Sequence, residues 1–184
     1  MVSRYGDRML DDGVVSFTML ESMGIWIGQR LGEEALSVMY PEQRASLTRD
    51  DLAVKNVCKH LWPKLYGKQA DRLQTDNRGS YVVHDNAFLP VQELVNAGVN
   101  YNDVEATPPN VINRIEQTLE LPKGIIAGYL TALGHPCYVG YFDITEAPVV
   151  GGCCFKITMA NDEQLTAEEQ PDSIYSATKE QDQS

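Results

Sequence analysis

Glycines fall at every fourth position in one helical stretch, and small residues repeat the same spacing in a second. No other feature of this chain limits its fold as tightly. Between Val14 and Leu36, Phe17, Leu20, Gly24, Ile27 and Leu31 recur at three- and four-residue spacing, which predicts a helix. Within it Gly24, Gly28 and Gly32 lie on one line. A glycine inside a helix costs about 1 kcal/mol relative to alanine. Three in register therefore predict a groove into which another backbone packs closely. The alternative is that Gly32 caps the helix and the other two are neutral. Met19, Met23 and Trp26 form a second stripe on a neighbouring face, so the apolar surface is wider than one core contact requires. A second long helix is predicted from Asn110 to Leu133, with Gly124, Gly128 and Ala132 at the same spacing and Pro122 expected to kink it. Gly134 ends it and Pro136 confirms the stop.

Between these helices the chain predicts a mixed architecture. Pro41 and the polar residues after it break the first pattern. Thr48, three residues before Asp51, resembles a capping box and opens a helix carrying Val54, Val57, Cys58, Leu61 and Trp62, with Pro63 expected to kink it or end it early. Three strands are then expected. Arg72 to Thr75 and Ser80 to His84 are joined by the turn Asp76-Asn77-Arg78-Gly79. Asp85-Asn86 would make a two-residue hairpin into Ala87 to Val95, with Pro90 marking an edge or a bulge. Asn96 to Pro109 reads as a loop. Cys137 to Ile144 and Cys153 to Met159 read as two further strands.

Composition excludes more than it assigns. The net charge is −11, but Asn161 to Ser184 carries −6 of it, so the preceding 160 residues hold only −5. That acidic segment has few large apolar residues and is read as a disordered tail. The division is a short lead (1–13), one domain (14–160) and the tail (161–184). Nucleic-acid binding is disfavoured, because phosphate contacts need clustered Lys and Arg. Cys58, Cys137, Cys153 and Cys154 include no C-x-x-C pair, and the first ten residues contain no apolar run of the kind a signal peptide carries. Reduced, buried thiols in a cytosolic chain are expected. No stretch of about eighteen apolar residues exists, so no membrane span is expected.

Catalytic chemistry is sparse. His60, His84 and His135 are the three histidines, and none has a His or Cys at zinc-ligand spacing. A Cys58–His60 dyad is the sharpest catalytic candidate, weighed against a buried thiol beside a solvated imidazole. There is no G-x-S-x-G elbow and no phosphate-binding loop. Asp11-Asp12 and Glu33-Glu34 read as solvated helix ends. No catalytic residue, metal or cofactor is expected. What remains is apolar surface. Burying each of Met19, Met23, Trp26 and Ile27 is worth roughly 1.5–3 kcal/mol, enough together to support a dimer.

The stretch Val57 to Phe88 carries a family likeness. It has Cys58 and Trp62 at a helix end, then Lys68, Gln69, Asp71 and Leu73, then Gly79, Tyr81 and Val82, then Asp85, Asn86 and Phe88. Leu20, Glu21, Met23, Gly24, Gly28, Gln29 and Leu31 extend it, as do Ile126, Gly128, Leu130, Leu133 and Gly134, and finally Cys153, Phe155 and Ile157. In these residues the chain resembles the TRAPP small subunits, and within them the subunit 6 branch. The resemblance implies an α+β fold with helices packed on an antiparallel sheet. It implies a non-enzymatic part of a vesicle-tethering complex that activates a Rab GTPase in ER-to-Golgi and Golgi traffic. Such a subunit is cytoplasmic, peripheral at the early Golgi, and meets the membrane only within the complex. Pairing with TRAPP subunit 3 is implied, and the partner interface expected is Phe17, Met19, Leu20, Met23, Gly24, Trp26, Ile27, Gly28 and Leu31, with Val54, Val57 and Leu61 from the second helix. The other class of function kept open is a small-molecule or acyl-chain binding module of the same fold.

Overall fold

The computed structural model describes residues 16–96, 109–142 and 151–160. The expected lead, the 96–109 loop and the acidic tail lie wholly or almost wholly outside them. Among the described residues the order is α1 (Phe17–Val38), α2 (Pro41–Ser46), α3 (Asp50–Asn56), a π-helical turn (Val57–Leu61), α4 (Trp62–Tyr66), β1 (Arg72–Thr75), β2 (Ser80–Asp85), α5 (Leu89–Asn96), α6 (Pro109–Ala132), β3 (Cys137–Tyr141) and β4 (Cys153–Met159). The four strands form one antiparallel sheet in the order β1-β2-β4-β3. Helices cover one face of it, which is the α+β arrangement expected.

Alternation along the strands sets the core face. Tyr81, Val83 and Asp85 of β2 are buried, as are Cys153, Phe155, Ile157 and Met159 of β4. Cys153 and Cys154, adjacent in sequence, accordingly point to opposite faces. Cys154 lies across from His84 on the outer side. Phe155 meets Trp62 at a centroid separation of 5.8 Å, and Phe88 meets Tyr66 at 4.9 Å.

The glycine lines meet each other. A Cβ on Gly28 would lie 2.7 Å from the Tyr129 nitrogen and closer still to the Ile125 carbonyl oxygen. One on Gly24 would lie 2.9 Å from the Cα of Gly124, and one on Gly128 would lie 2.9 Å from the Cα of Ile25. One on Gly32 would lie 2.6 Å from the Cβ of Ala132. Contacts advance in the same direction along both helices, so α1 and α6 run parallel with their backbones touching. The groove predicted for another backbone exists, and the backbone in it belongs to the same chain.

Several local expectations are corrected. Pro41 opens the short helix α2 instead of only breaking a pattern. Thr48 is not a cap: its hydroxyl donates to the Ala45 carbonyl, and Arg49 occupies the N-cap of α3. Pro63 does not end the helix before it. The turn widens to π spacing just ahead of it, with the Trp62 N–H bonded to the Val57 carbonyl, and the helix continues to Gly67, whose φ of 72° suits glycine. The third strand, Ala87 to Val95, is instead α5, with Pro90 at a first-turn position where no N–H is needed. Asp85-Asn86 is not a hairpin turn either. The Ala87 N–H donates to the Asp85 carboxylate at 2.9 Å and the Phe88 N–H to the Gly151 carbonyl, which turns the chain into α5.

Candidate partner face and adjoining cleft

The residue spacing in Val57 to Phe88 resolves into one buried polar staple. Asp85 is 1% exposed. Its carboxylate accepts from the Trp62 indole N–H at 2.8 Å and from the Lys68 ammonium. Asp71 accepts the Asn86 N–H at 2.7 Å and contacts Lys68 at 3.5 Å. Burial works against the Lys68 charge, but Asp85 and Asp71 outweigh it and hold the ammonium above the ordinary lysine range. Gly79 supplies a φ of 89° for the β1–β2 turn. Trp62, Lys68, Asp71, Asp85 and Asn86 therefore tie α4 and the segment after it to the end of β2, and Phe88 packs beside Trp62. Structure, not chemistry, explains their pattern.

The candidate interface residues separate into three groups. Val54, Val57 and Leu61 are 0%, 0% and 1% exposed in the chain's own core. Gly24 and Gly28 are buried against α6. These five offer a partner protein almost no surface while the fold is intact, because the core and α6 cover them. Phe17, Leu20, Ile27 and Leu31 are half-buried, Ile27 and Leu31 packing against the core. Met19, Met23 and Trp26 are 52%, 47% and 61% exposed. Those three lie on the face of α1 turned away from α6. The Arg30 guanidinium carbon sits 5.9 Å from the Trp26 ring centroid and its head group pairs with Glu33 at 2.8 Å, extending the ridge toward the helix end. Val38 and Tyr40, which the sequence reading did not single out, are also exposed large apolar residues at that end.

Beside this ridge lies a cleft of about 500 Å³ between the C-terminal half of α1, α2 and the π-helical turn. Leu31, Val38, Leu47 and Leu61 supply its apolar lining, and Asn56 and Tyr129 lie among its lining residues. The Tyr129 hydroxyl donates to Asn56 Oδ1 at 2.6 Å. Across the mouth Lys64 of α4 pairs with Glu34 of α1 at 2.7 Å. His135, just past α6, fixes the α2–α3 joint, its ring nitrogens 2.6 Å from Asp50 Oδ1 and 2.5 Å from the Leu47 carbonyl oxygen.

The thiol–imidazole pair in the structure is not the one the sequence suggested. Cys58 is buried, and burial pushes its thiol up to about 11, whereas His60 is exposed. Instead Cys154 Sγ lies 3.0 Å from His84 Nδ1, and His84 Nε2 lies 2.7 Å from Gln74 Oε1. Seventy residues separate the pair, so only the β2–β4 register could bring them together. Burial raises the Cys154 thiol and lowers the His84 imidazole, both shifts away from the thiolate–imidazolium pair that would make a nucleophile. Among the described residues no cluster of His, Cys, Asp and Glu could hold a metal, and no helix is long and apolar enough to cross a membrane.

A parallel helix pair packed on an antiparallel sheet makes this an α+β protein with an apolar ridge exposed along α1. Comparison with known proteins gives the family: residues 2–160 match the Transport protein particle (TRAPP) component family, and the chain belongs to it. Bovine trafficking protein particle complex subunit 6A is 35% identical over 121 residues, covering 65% of each chain. Human subunit 6B is 31% identical over 141 residues, 76% of each. The chain thus spans about 65% of the length of the bovine and human subunit 6A proteins it matches. Among solved structures, trafficking protein particle complex subunit 3 from Naegleria fowleri, covalently bound to palmitic acid, superposes with a TM-score of 0.55 over 79% of this chain and 80% of that one, at 16% identity. That likeness is one of fold. Within that family the chain is similar to subunits 6A and 6B.

Proposed function

We propose that this chain is a non-enzymatic scaffold subunit of a TRAPP complex and that the α1 ridge is where it pairs with TRAPP subunit 3. The exposure of Met19, Met23 and Trp26 on a helix whose opposite face is sealed by α6 carries the reading. Through that pairing the chain supports Rab GTPase nucleotide exchange by the assembled complex in ER-to-Golgi and Golgi traffic, from the cytoplasmic side. The energetics favour an interface larger than three side chains. Each is already about half covered, so finishing its burial yields roughly 1 kcal/mol, against association costs of at least about 4 kcal/mol. Helix α1 is about 33 Å long, and Phe17, Leu20, Ile27, Leu31, Val38 and Tyr40 flank the ridge on it. The test is co-purification on size exclusion with subunit 3. A one-to-one complex is expected from the wild type, and Trp26→Asp should abolish it without lowering the stability of the lone chain. A complex that survives Trp26→Asp and Met23→Asp together would remove the ridge from the interface.

A further inference from the structure

The cleft beside the ridge has a polar floor that is only half used. Asn56 is 8% exposed and lines the cleft. Its oxygen is taken by the Tyr129 hydroxyl, itself on a side chain 2% exposed. Its amide nitrogen, which carries two donors, has no hydrogen-bond partner among the described residues. A donor left unmatched at such depth costs free energy, and here it adjoins a space of about 500 Å³, within the range of small-molecule pockets. Leu31, Val38, Leu47 and Leu61 make the rest of the lining largely apolar. At the mouth the Lys64 charge is already matched by Glu34. The floor donor is neutral, so nothing in the cleft calls for a net anion. The π-helical turn is what sets this geometry: it shifts Leu61 and His60 by one position relative to Asn56, and all three line the space.

We propose that this cleft binds a small, uncharged molecule with an apolar body and a carbonyl oxygen, the oxygen accepting a hydrogen bond from Asn56 Nδ2. The cleft borders the ridge at Leu31 and Val38 but includes none of Met19, Met23 and Trp26, and its test uses the lone chain, so failure of the subunit 3 pairing leaves this site standing, and the reverse also holds. N-cyclohexylacetamide serves as the probe, with cyclohexylacetate as its anionic counterpart. Both are titrated into the ¹⁵N-labelled full chain and followed by amide chemical shifts. Saturable shifts at Leu31, Asn56 and Leu61 are expected with the amide, with an affinity of roughly millimolar order for a fragment this small, and binding of the anion should be weaker. Asn56→Asp keeps an acceptor for the Tyr129 hydroxyl but turns the donor into an acceptor, and should weaken the amide by about tenfold or more. Ala35→Phe leaves Asn56 intact, fills the cleft from α1 and should abolish binding; it keeps the test decisive if Asn56→Asp does not fold. Absence of saturable shifts in the wild type would overturn the proposal. So would equal binding by Asn56→Asp, or cleft shifts produced by the partner subunit but not by the probe.

Discussion

Replacing Gly28 with alanine separates two uses of a glycine line that share one sequence. If the line faced a partner, the lone chain would gain helix propensity, about 1 kcal/mol per substitution. In the structure the line faces α6. The new Cβ would sit 2.7 Å from the Tyr129 nitrogen and nearer the Ile125 carbonyl oxygen. Both are backbone atoms held in a helix, so no side-chain rotation relieves the contact and α1 must lift away. Lifting by 0.5–1 Å forfeits a quarter to a half of the dispersion well along the seam. Overpacking of this kind costs about 1–3 kcal/mol, and rigid neighbours place it toward the upper end. Subtracting the propensity gain leaves a net loss of about 2 kcal/mol. For a chain this size that is a fall of about 4–8 °C in melting temperature. Urea denaturation of the full chain, read by circular dichroism, measures it, with Gly140→Ala as control because nothing lies within 4 Å of a Cβ there. A Gly28→Ala chain about 1 kcal/mol more stable than wild type would refute the α1–α6 seam. Gly128→Ala should behave like Gly28→Ala, since its Cβ meets the Ile25 backbone from the other side.

Asp85→Ala leaves the Trp62 indole N–H and the Lys68 ammonium without their acceptor; Lys68 is 35% exposed and partly rehydrates, so a loss of about 2–4 kcal/mol is expected in the same urea assay, and a loss under 1 kcal/mol would mean the staple is not formed. Burial raises the Cys58 thiol to about 11 and the Cys137 thiol to about 12. The unfolded chain therefore sheds those protons first, and stability, fully present below about pH 9, should fall as pH rises from there toward 11–12. A urea midpoint unchanged between pH 8 and pH 10 would count against burial of both thiols. By the same logic Cys58 should resist alkylation at pH 8 in the native chain and react once unfolded, as read by mass spectrometry.

Much of the fold was legible because local signals suffice for it. The helix periodicity around Gly24, the Asp76–Gly79 turn and the alternation in Ser80 to His84 all depend on near neighbours. Pro90 misled because proline fits both an edge strand and the first turn of a helix. Only the Asp85 carboxylate and the Gly151 carbonyl, one bonding the Ala87 N–H and the other the Phe88 N–H, decide between them. The candidate site was legible in part. Met19, Met23 and Trp26, singled out by the stripe, are exposed in the structure, whereas Val54, Val57 and Leu61 were assigned to a surface they do not reach. Apolar spacing on a helix marks a face that wants cover and is silent on what covers it. Asn56 carried no sequence signal, since its importance comes from a bond to Tyr129, 73 residues away.

By itself the sequence determined that two helices carry small residues at four-residue intervals, the space that a closely packed backbone needs. It also determined the family, through a pattern that the Trp62–Lys68–Asp85 staple requires. Tertiary structure alone decided that the two notched helices admit each other. Close approach is a property of a pair of surfaces, and a single chain position encodes only one of them. With α6 in that groove, the face of α1 left open is the methionine and tryptophan ridge on the other side.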